Sequence, residues 1–289
     1  MTAPVQLTRR TFGLVAVAAS LAGAPNAFAE TSTPEQGEIE VSGRKVRLFT
    51  WRAANTRAAV VFSHGAGADP RSYRPLFEVW TAAGISVVAP VYVDSEINPD
   101  RDKYTLASAF VPRWRDVTAS VAYARASFLG VKICAAGHSY GSMFSLMMAG
   151  ALPAMFGPPK APVDAVVAFS SPGKIGLVRP DSYAHVAAPM LQITGDRDLV
   201  EGSVSDWRDH LLAFETSAPG DKYAWVGAGV DHGFGGAIRA RPSPAQDAAF
   251  TEAAALSTLF LRAYLLGEGD AKAALLSRAD TRLGQLTRR

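Results

Sequence analysis

The chain has 289 residues, 48% of them hydrophobic and 19% charged, an ordinary globular composition with enough length to close one sizeable core. Its formal charge of +3 does not mark a nucleic-acid binder. Residues 1–29 carry Arg9 and Arg10 and no acid, which leaves 27 basic and 26 acidic residues in the rest. The internal arginines are scattered among acids, not clustered on a basic face with aromatic platforms. The single cysteine, Cys134, excludes an intramolecular disulfide and a thiolate metal cluster. Its place in the apolar run 131–136 fits a packed, inert thiol.

In chain order, Thr8-Arg9-Arg10-Thr11-Phe12-Gly13-Leu14 opens a mild Ala/Val/Leu stretch that ends in Ala27-Phe28-Ala29. This resembles a twin-arginine signal peptide: paired arginines, an apolar segment too short to span a bilayer, then small residues at an Ala-x-Ala site. The resemblance implies cleavage after Ala29, export to the periplasm or medium, and no stable membrane span in the mature chain. No linker-like Pro/Ser/Gly tract and no internal repeat divides residues 30–289, so one domain is expected.

Residues 38–41 and 45–51 alternate about Ser42-Gly43 and read as a hairpin. Apolar runs then recur at 58–63, 85–89, 132–137, 165–170, 190–195 and 222–226. Helix-like stretches stand between or after them at 73–83, 116–129, 141–152, 205–217 and 245–266. Runs that are apolar throughout and alternate with helices predict a mostly parallel sheet of eight strands covered on both faces. The pattern resembles the α/β-hydrolase arrangement. Residues 94–114 and 171–188 fit no regular element, and ligands of such sheets bind beyond the carboxyl ends of the strands, so these stretches are candidate pocket walls. Neither is long enough for a large lid. The tail after Gly269 reads as a short helix or partly disordered chain, with no function assigned to it.

The candidate nucleophile is Ser139, in Gly137-His138-Ser139-Tyr140-Gly141. A serine hydroxyl needs a base to take its proton and a turn that projects it toward a carbonyl. A sharp strand-to-helix turn does this, and crowding two residues before and two after favours glycine. The apolar run before the motif and the Met/Leu/Ala-rich stretch after it supply the strand and the helix.

In this fold the acid and then the histidine follow the serine, each after a later strand. Of the five histidines only His210 and His232 follow every plausible acid. His210 lies inside a helix-like segment, whereas Gly229-Val230-Asp231-His232-Gly233-Phe234 reads as a loop after a strand, so His232 is the candidate base. Asp231, its neighbour, diverges from it in extended backbone. His64 and His138 read as groups that shape the loops. The acid is Asp196 or Asp198, both in the loop after 190–195. For the oxyanion hole, the backbone amide after the nucleophile belongs to Tyr140, and the small residues of His64-Gly65-Ala66-Gly67 let a second amide approach, Ala66 first and Gly67 as the alternative.

Residues 60–67, the serine motif, Gly195-Asp196-Arg197-Asp198 and the His232 loop together resemble esterases of the dienelactone hydrolase and platelet-activating-factor acetylhydrolase-like branch of the α/β-hydrolases. The resemblance implies that Asp198, the second carboxylate of its loop, meets the histidine. It also implies hydrolysis of a small-molecule carboxylic ester through an acyl-enzyme on Ser139, with no metal or organic cofactor. No ligand cluster of metal-binding spacing is apparent. Dienelactone hydrolases themselves carry cysteine at the elbow, so their substrate is not implied by Ser139. Tyr92, Tyr104, Phe110 and Trp114 are candidate walls of the acyl pocket. A serine peptidase, an acyltransferase or a catalytically silent binding protein could share the scaffold.

Overall fold

A computed structural model describes residues 33–159, 162–179, 181–239 and 246–289; the leader expected at 1–29 lies outside the described residues. The chain enters through a hairpin of β1 (Glu35–Val41) and β2 (Arg44–Trp51), turned at Ser42 and Gly43, both with positive φ. It continues through β3 (Ala58–Ser63), α1 (Arg74–Ala82), β4 (Ile85–Pro90), α2 (Leu106–Ser127), β5 (Lys132–His138) and α3 (Tyr140–Met148). After the single turn α4 (Pro153–Phe156) come β6 (Ala165–Phe169), β7 (Met190–Arg197), α5 (Leu212–Thr216) and β8 (Lys222–Asp231). The chain closes with α6 (Asp247–Tyr264), α7 (Gly269–Ser277) and β9 (Gly284–Arg288).

The strands form one sheet in the order β1-β2-β4-β3-β5-β6-β7-β8-β9. The six strands from β4 to β8 run parallel, and β1, β2 and β9 are antiparallel to their neighbours. Because side chains alternate across a strand, β3 divides its residues between two cores. Ala58, Val60 and Phe62 pack on one face with Phe77 and Trp80 of α1 and Leu256 and Phe260 of α6; Ala59 and Val61 pack on the other with Val117 of α2 and Phe144 of α3. Both faces are therefore dry, which is why the central strands read as unbroken apolar runs. The strand order reverses between β3 and β5, and at such a switch point the loops leaving two neighbouring strands part and open a crevice.

Three elements differ from the sequence expectation. Helix α2 begins at Leu106, ten residues earlier than the pattern indicates, and passes through Pro112. Thr105 caps it in a reciprocal box with Ser108, and the next turn is secured by the buried Arg113. Tertiary contacts thus override a residue that ordinarily ends or kinks a helix. Residues 205–217 split into a tight 3-10 turn, Trp207–Leu211, followed by the short α5. A ninth strand, β9, joins the eight expected, laid against β8 by its backbone. Its side chains are mostly exposed, so no apolar run announces it. At its start a Cβ on Gly284 would overlap the indole of Trp225, which is completely buried. Gly284→Val should therefore lower stability by about 1–3 kcal/mol through overpacking, read as a lower urea midpoint at unchanged slope.

Candidate active site

Ser139 sits between β5 and α3 with φ 53° and ψ −128°, a conformation that costs a non-glycine residue energy and persists only where its surroundings enforce it. The neighbouring glycines show how. A Cβ on Gly137 would stand 2.7 Å from the Gly141 carbonyl carbon, and one on Gly141 would overlap the carbonyl oxygen of Ser63 on β3. Side chains at either position would push α3 off the sheet. The Ser139 amide donates to Phe169 O at the end of β6 (2.9 Å), and its carbonyl accepts from the Ser142 amide (2.9 Å).

The next two groups come from β7 and β8. These strands pair in register to Gly195 and then slip by a bulge between Gly195 and Arg197. At that point a Cβ on Gly195 would overlap the Val230 backbone. The slip sends the chain out of the sheet at Asp198, while β8 runs on to Asp231 and releases His232 beside it. His232 Nε2 lies 2.9 Å from Ser139 Oγ, and His232 Nδ1 lies 2.7 Å from Asp198 Oδ1. Asp198 Oδ2 accepts from Thr194 Oγ1 (2.7 Å). Asp196 instead accepts the Gly229 amide on Oδ1 (2.6 Å), bracing the loop before His232. Asp231 accepts the Gly233 and Gly235 amides at 3.0 and 2.9 Å and so folds the turn that carries the histidine. Burial alone would raise the Asp198 pKa, but hydrogen bonds from His210 and His232 outweigh it and hold the carboxyl well below the usual range.

The loop after β3 is held from behind. Arg113, fully buried, donates to the carbonyls of His64 (2.8 Å) and Gly65 (3.1 Å) and forks onto Asp94 at 2.7 and 2.8 Å. Asp94 Oδ2 accepts the Gly67 amide (3.1 Å), and Tyr73 Oη accepts the Gly65 amide (3.0 Å). With Gly65 and Gly67 so engaged, the Ala66 amide is the loop's remaining donor at the cavity. Among the described residues neither it nor the Tyr140 amide donates to another protein group. The Gly67 amide is thus committed to Asp94, and the Ala66 amide is not. Tyr73 in turn contacts His138 Nδ1 (3.0 Å), and His138 Nε2 donates to His232 O (2.8 Å), a relay from the donor loop to the histidine loop beneath Ser139.

A cavity of about 490 Å³ opens over Ser139 and His232. Its walls are Leu106, Phe110, Met155, Ile175, Leu177 and Val204, with Ala66 and Tyr140 near the serine. Of the aromatic residues expected there, Phe110 alone lines it. Tyr92 is completely buried, its hydroxyl bonded to Ser63 Oγ (2.7 Å) and its ring 4.5 Å from the Arg113 guanidinium carbon. Tyr104 faces a separate polar cavity with Arg47 and Asp100, and Trp114 stacks on Phe156 (5.5 Å) behind the wall. A large ring fills core as readily as pocket, and the direction in which the backbone presents it decides which.

Sequence reasoning misses Arg113, Asp94, Thr194 and His210. His210 Nε2 lies 2.9 Å from Asp198 Oδ1. Asp198, His210 and His232 offer donor atoms within 4.8 Å of one another. Those atoms are already joined by N–H to oxygen hydrogen bonds, so the group is organised as a hydrogen-bonded cluster. Among the described residues no helix is long and apolar enough to cross a membrane.

No family model and no curated protein matches the chain. Solved structures do. A thermophilic esterase of the planctomycete Thermogutta terrifontis, Est2, aligns at 19% identity over 83% of this chain and 96% of its own, with a TM-score of 0.59. The dienelactone hydrolase of Anabaena variabilis aligns at 18% identity over 81% and 100%, TM-score 0.59. An alpha-beta serine hydrolase homologue from Coxiella burnetii aligns at 16% over 73% and 94%, TM-score 0.53. The fold is that of the α/β-hydrolases.

The Arg113–Asp94 pair supplies a test of how this loop is held. Burial alone would raise the Asp94 pKa, but Arg113 more than offsets it, so the carboxyl titrates below its ordinary 3.8. A depressed folded pKa adds stability above about pH 4 that is lost as pH falls through the folded value. Arg113→Leu leaves a buried, unpaired carboxylate and should cost about 3–5 kcal/mol at pH 7. The loss should shrink as acid protonates Asp94, which unfolding curves at pH 7 and pH 3.5 would read.

Proposed function

We propose that the protein is a serine hydrolase of carboxylic esters. The observation that carries the reading is the unbroken series Ser139 Oγ, His232, Asp198, placed on a strained turn at the floor of an apolar cavity. In this reading Ser139 attacks the ester carbonyl as His232 Nε2 takes its proton. Asp198 orients the ring and offsets the charge it gains. The amides of Ala66 and Tyr140 receive the oxyanion, where fixed donors in a dry site act more strongly than in water. His232 then returns the proton to the leaving alcohol, and water releases the acyl group by the same steps. The Thermogutta esterase supports this choice of chemistry: it has been captured with propionate bound and phosphorylated by paraoxon.

The cavity also bears on the substrate. Among its lining residues none is lysine or arginine, and the nearby Arg113 is spent on Asp94 and two carbonyls. A carboxylate-bearing substrate would meet no lysine or arginine along these walls. Leu106 and Leu177, at least half exposed at the mouth, extend the apolar surface outward. Small neutral esters with an apolar acyl or alcohol part are therefore the proposed class.

Protein lacking residues 1–29 should cleave short p-nitrophenyl esters and be labelled by a fluorophosphonate on Ser139. Ser139→Ala should abolish labelling and lower kcat by on the order of 10⁴-fold or more. Labelling that persists in that variant would sink the assignment, and an inert wild type would favour a silent binding protein. Transfer of the acyl group to an added alcohol or amine in preference to water would identify an acyltransferase, and cleavage of peptides in preference to esters a peptidase.

Export is part of the same proposal, supported by Arg9-Arg10 and Ala27-Phe28-Ala29. Replacing both arginines by lysine should hold the full chain, uncleaved, in the cytoplasm on fractionation of a bacterial host with a twin-arginine pathway. Unchanged processing and export would remove this part.

A further inference from the structure

His210 is a second histidine on the Asp198 carboxylate, and its ring is completely enclosed. Nε2 lies 2.9 Å from Asp198 Oδ1 and 3.0 Å from Asp198 O, and Nδ1 faces the carbonyl oxygen of Ser171. All three partners are acceptors. A neutral imidazole has one nitrogen with a lone pair and no proton, so either neutral tautomer would press that lone pair against an oxygen. Only the imidazolium gives a proton to both sides. Burial opposes the charged ring, but Asp198 and the two carbonyls outweigh it and raise the pKa above 6.5.

The ring also lies 5.9 Å from that of His232, the two planes 29° apart. Both histidines address the same oxygen, Asp198 Oδ1. With His210 charged, the carboxylate is already offset. A second proton on His232 would then place two cations on one buried anion, and like charge at this range disfavours protonation. The His138 ring, 5.0 Å from that of His232, is held between Tyr73 and the His232 carbonyl, Asp231 accepts the Gly233 and Gly235 amides, and the other charged groups near His210 are engaged elsewhere. On its own turn Arg208 pairs with Asp206 (3.2 Å), and Asp209 pairs with Lys174 of the loop after β6 (2.6 Å).

We propose that His210 is a positioning residue of this site: an imidazolium clamped between Ser171 and Asp198 that fixes the carboxylate and keeps His232 neutral into more acid solution than Asp198 alone would allow. The inference rests on the reading of Ser139, His232 and Asp198 as the reacting groups.

The test compares kcat/KM against pH for the wild type and His210→Gln, whose amide keeps a donor toward Asp198 without the charge. The acid limb should move to higher pH by about one unit, with KM on the plateau unchanged. A merely structural loss would lower activity at every pH without moving the limb. In parallel, nitrogen-15 ring spectra of the full chain carrying Ser139→Ala should show His210 protonated on both nitrogens at pH 7. An unmoved limb in a folded variant overturns the proposal. So does a neutral His210 ring, and that spectrum decides the matter even where the glutamine variant fails to fold. Failure of the triad reading is distinguishable, because it leaves the wild type inert and Ser139 unlabelled whatever the ring spectrum shows.

Discussion

The site depends first on one buried cation. Arg113 is carried inward by a helix that starts early and runs through a proline, and it arrives among the rings of Tyr92, Tyr140 and Phe144. Isolated there, a guanidinium would be prohibitively costly. Its Asp94 partner, the His64 and Gly65 carbonyls and the aromatic faces offset that cost together. What this arrangement secures is a backbone path. Two carbonyls and, through Asp94, one amide of the loop after β3 are fixed, so the Ala66 amide is held at the cavity by groups that never face the substrate.

The opposite wall is built by different means. Here the slip between β7 and β8 does the work, and Gly195 is the residue that permits it. Asp196 stays on the end of β7, Asp198 leaves the sheet just after it and His232 leaves β8 beside it, and the two carboxylates divide the labour. Asp196 holds the histidine loop through the Gly229 amide, while Asp198, fully enclosed, meets the ring itself. Thr194 and His210 complete the shell around Asp198. The carboxylate thus has each oxygen assigned, a condition for keeping it ionised out of water.

Much of this is legible in the sequence where backbone constraint leaves a residue signature. Gly137 and Gly141 mark the turn at Ser139 because no side chain fits there, and the all-apolar runs mark strands buried on both faces. Asp198 and Asp196 are equivalent by pattern, and the register slip that separates them leaves no trace in composition. His210 lies 12 residues from Asp198 and 39 from Ser171 in the chain, inside a stretch that reads as an ordinary helix, so nothing local reveals that it closes on both. Arg113 hides behind Pro112, which argues against the helix that delivers it. The aromatic expectations differ for a related reason: Tyr92, Tyr104 and Trp114 lie near Phe110 in the chain, but direction from the backbone sorts them into core, a second cavity and outer packing. Strand β9 is hidden because backbone pairing, not side-chain burial, attaches it.

The relay from the Gly65 amide through Tyr73 and His138 to the His232 carbonyl crosses the core directly under the serine, and His138 is the residue that precedes Ser139 on β5. The two loops that flank the serine are thereby tied to one another and to the strand that bears it. The position of either loop is coupled through hydrogen bonds to that of the other. The rim residues Leu106, Met155 and Leu177 take no part in this bracing, so the mouth of the cavity and the frame around Ser139 are built from separate contacts.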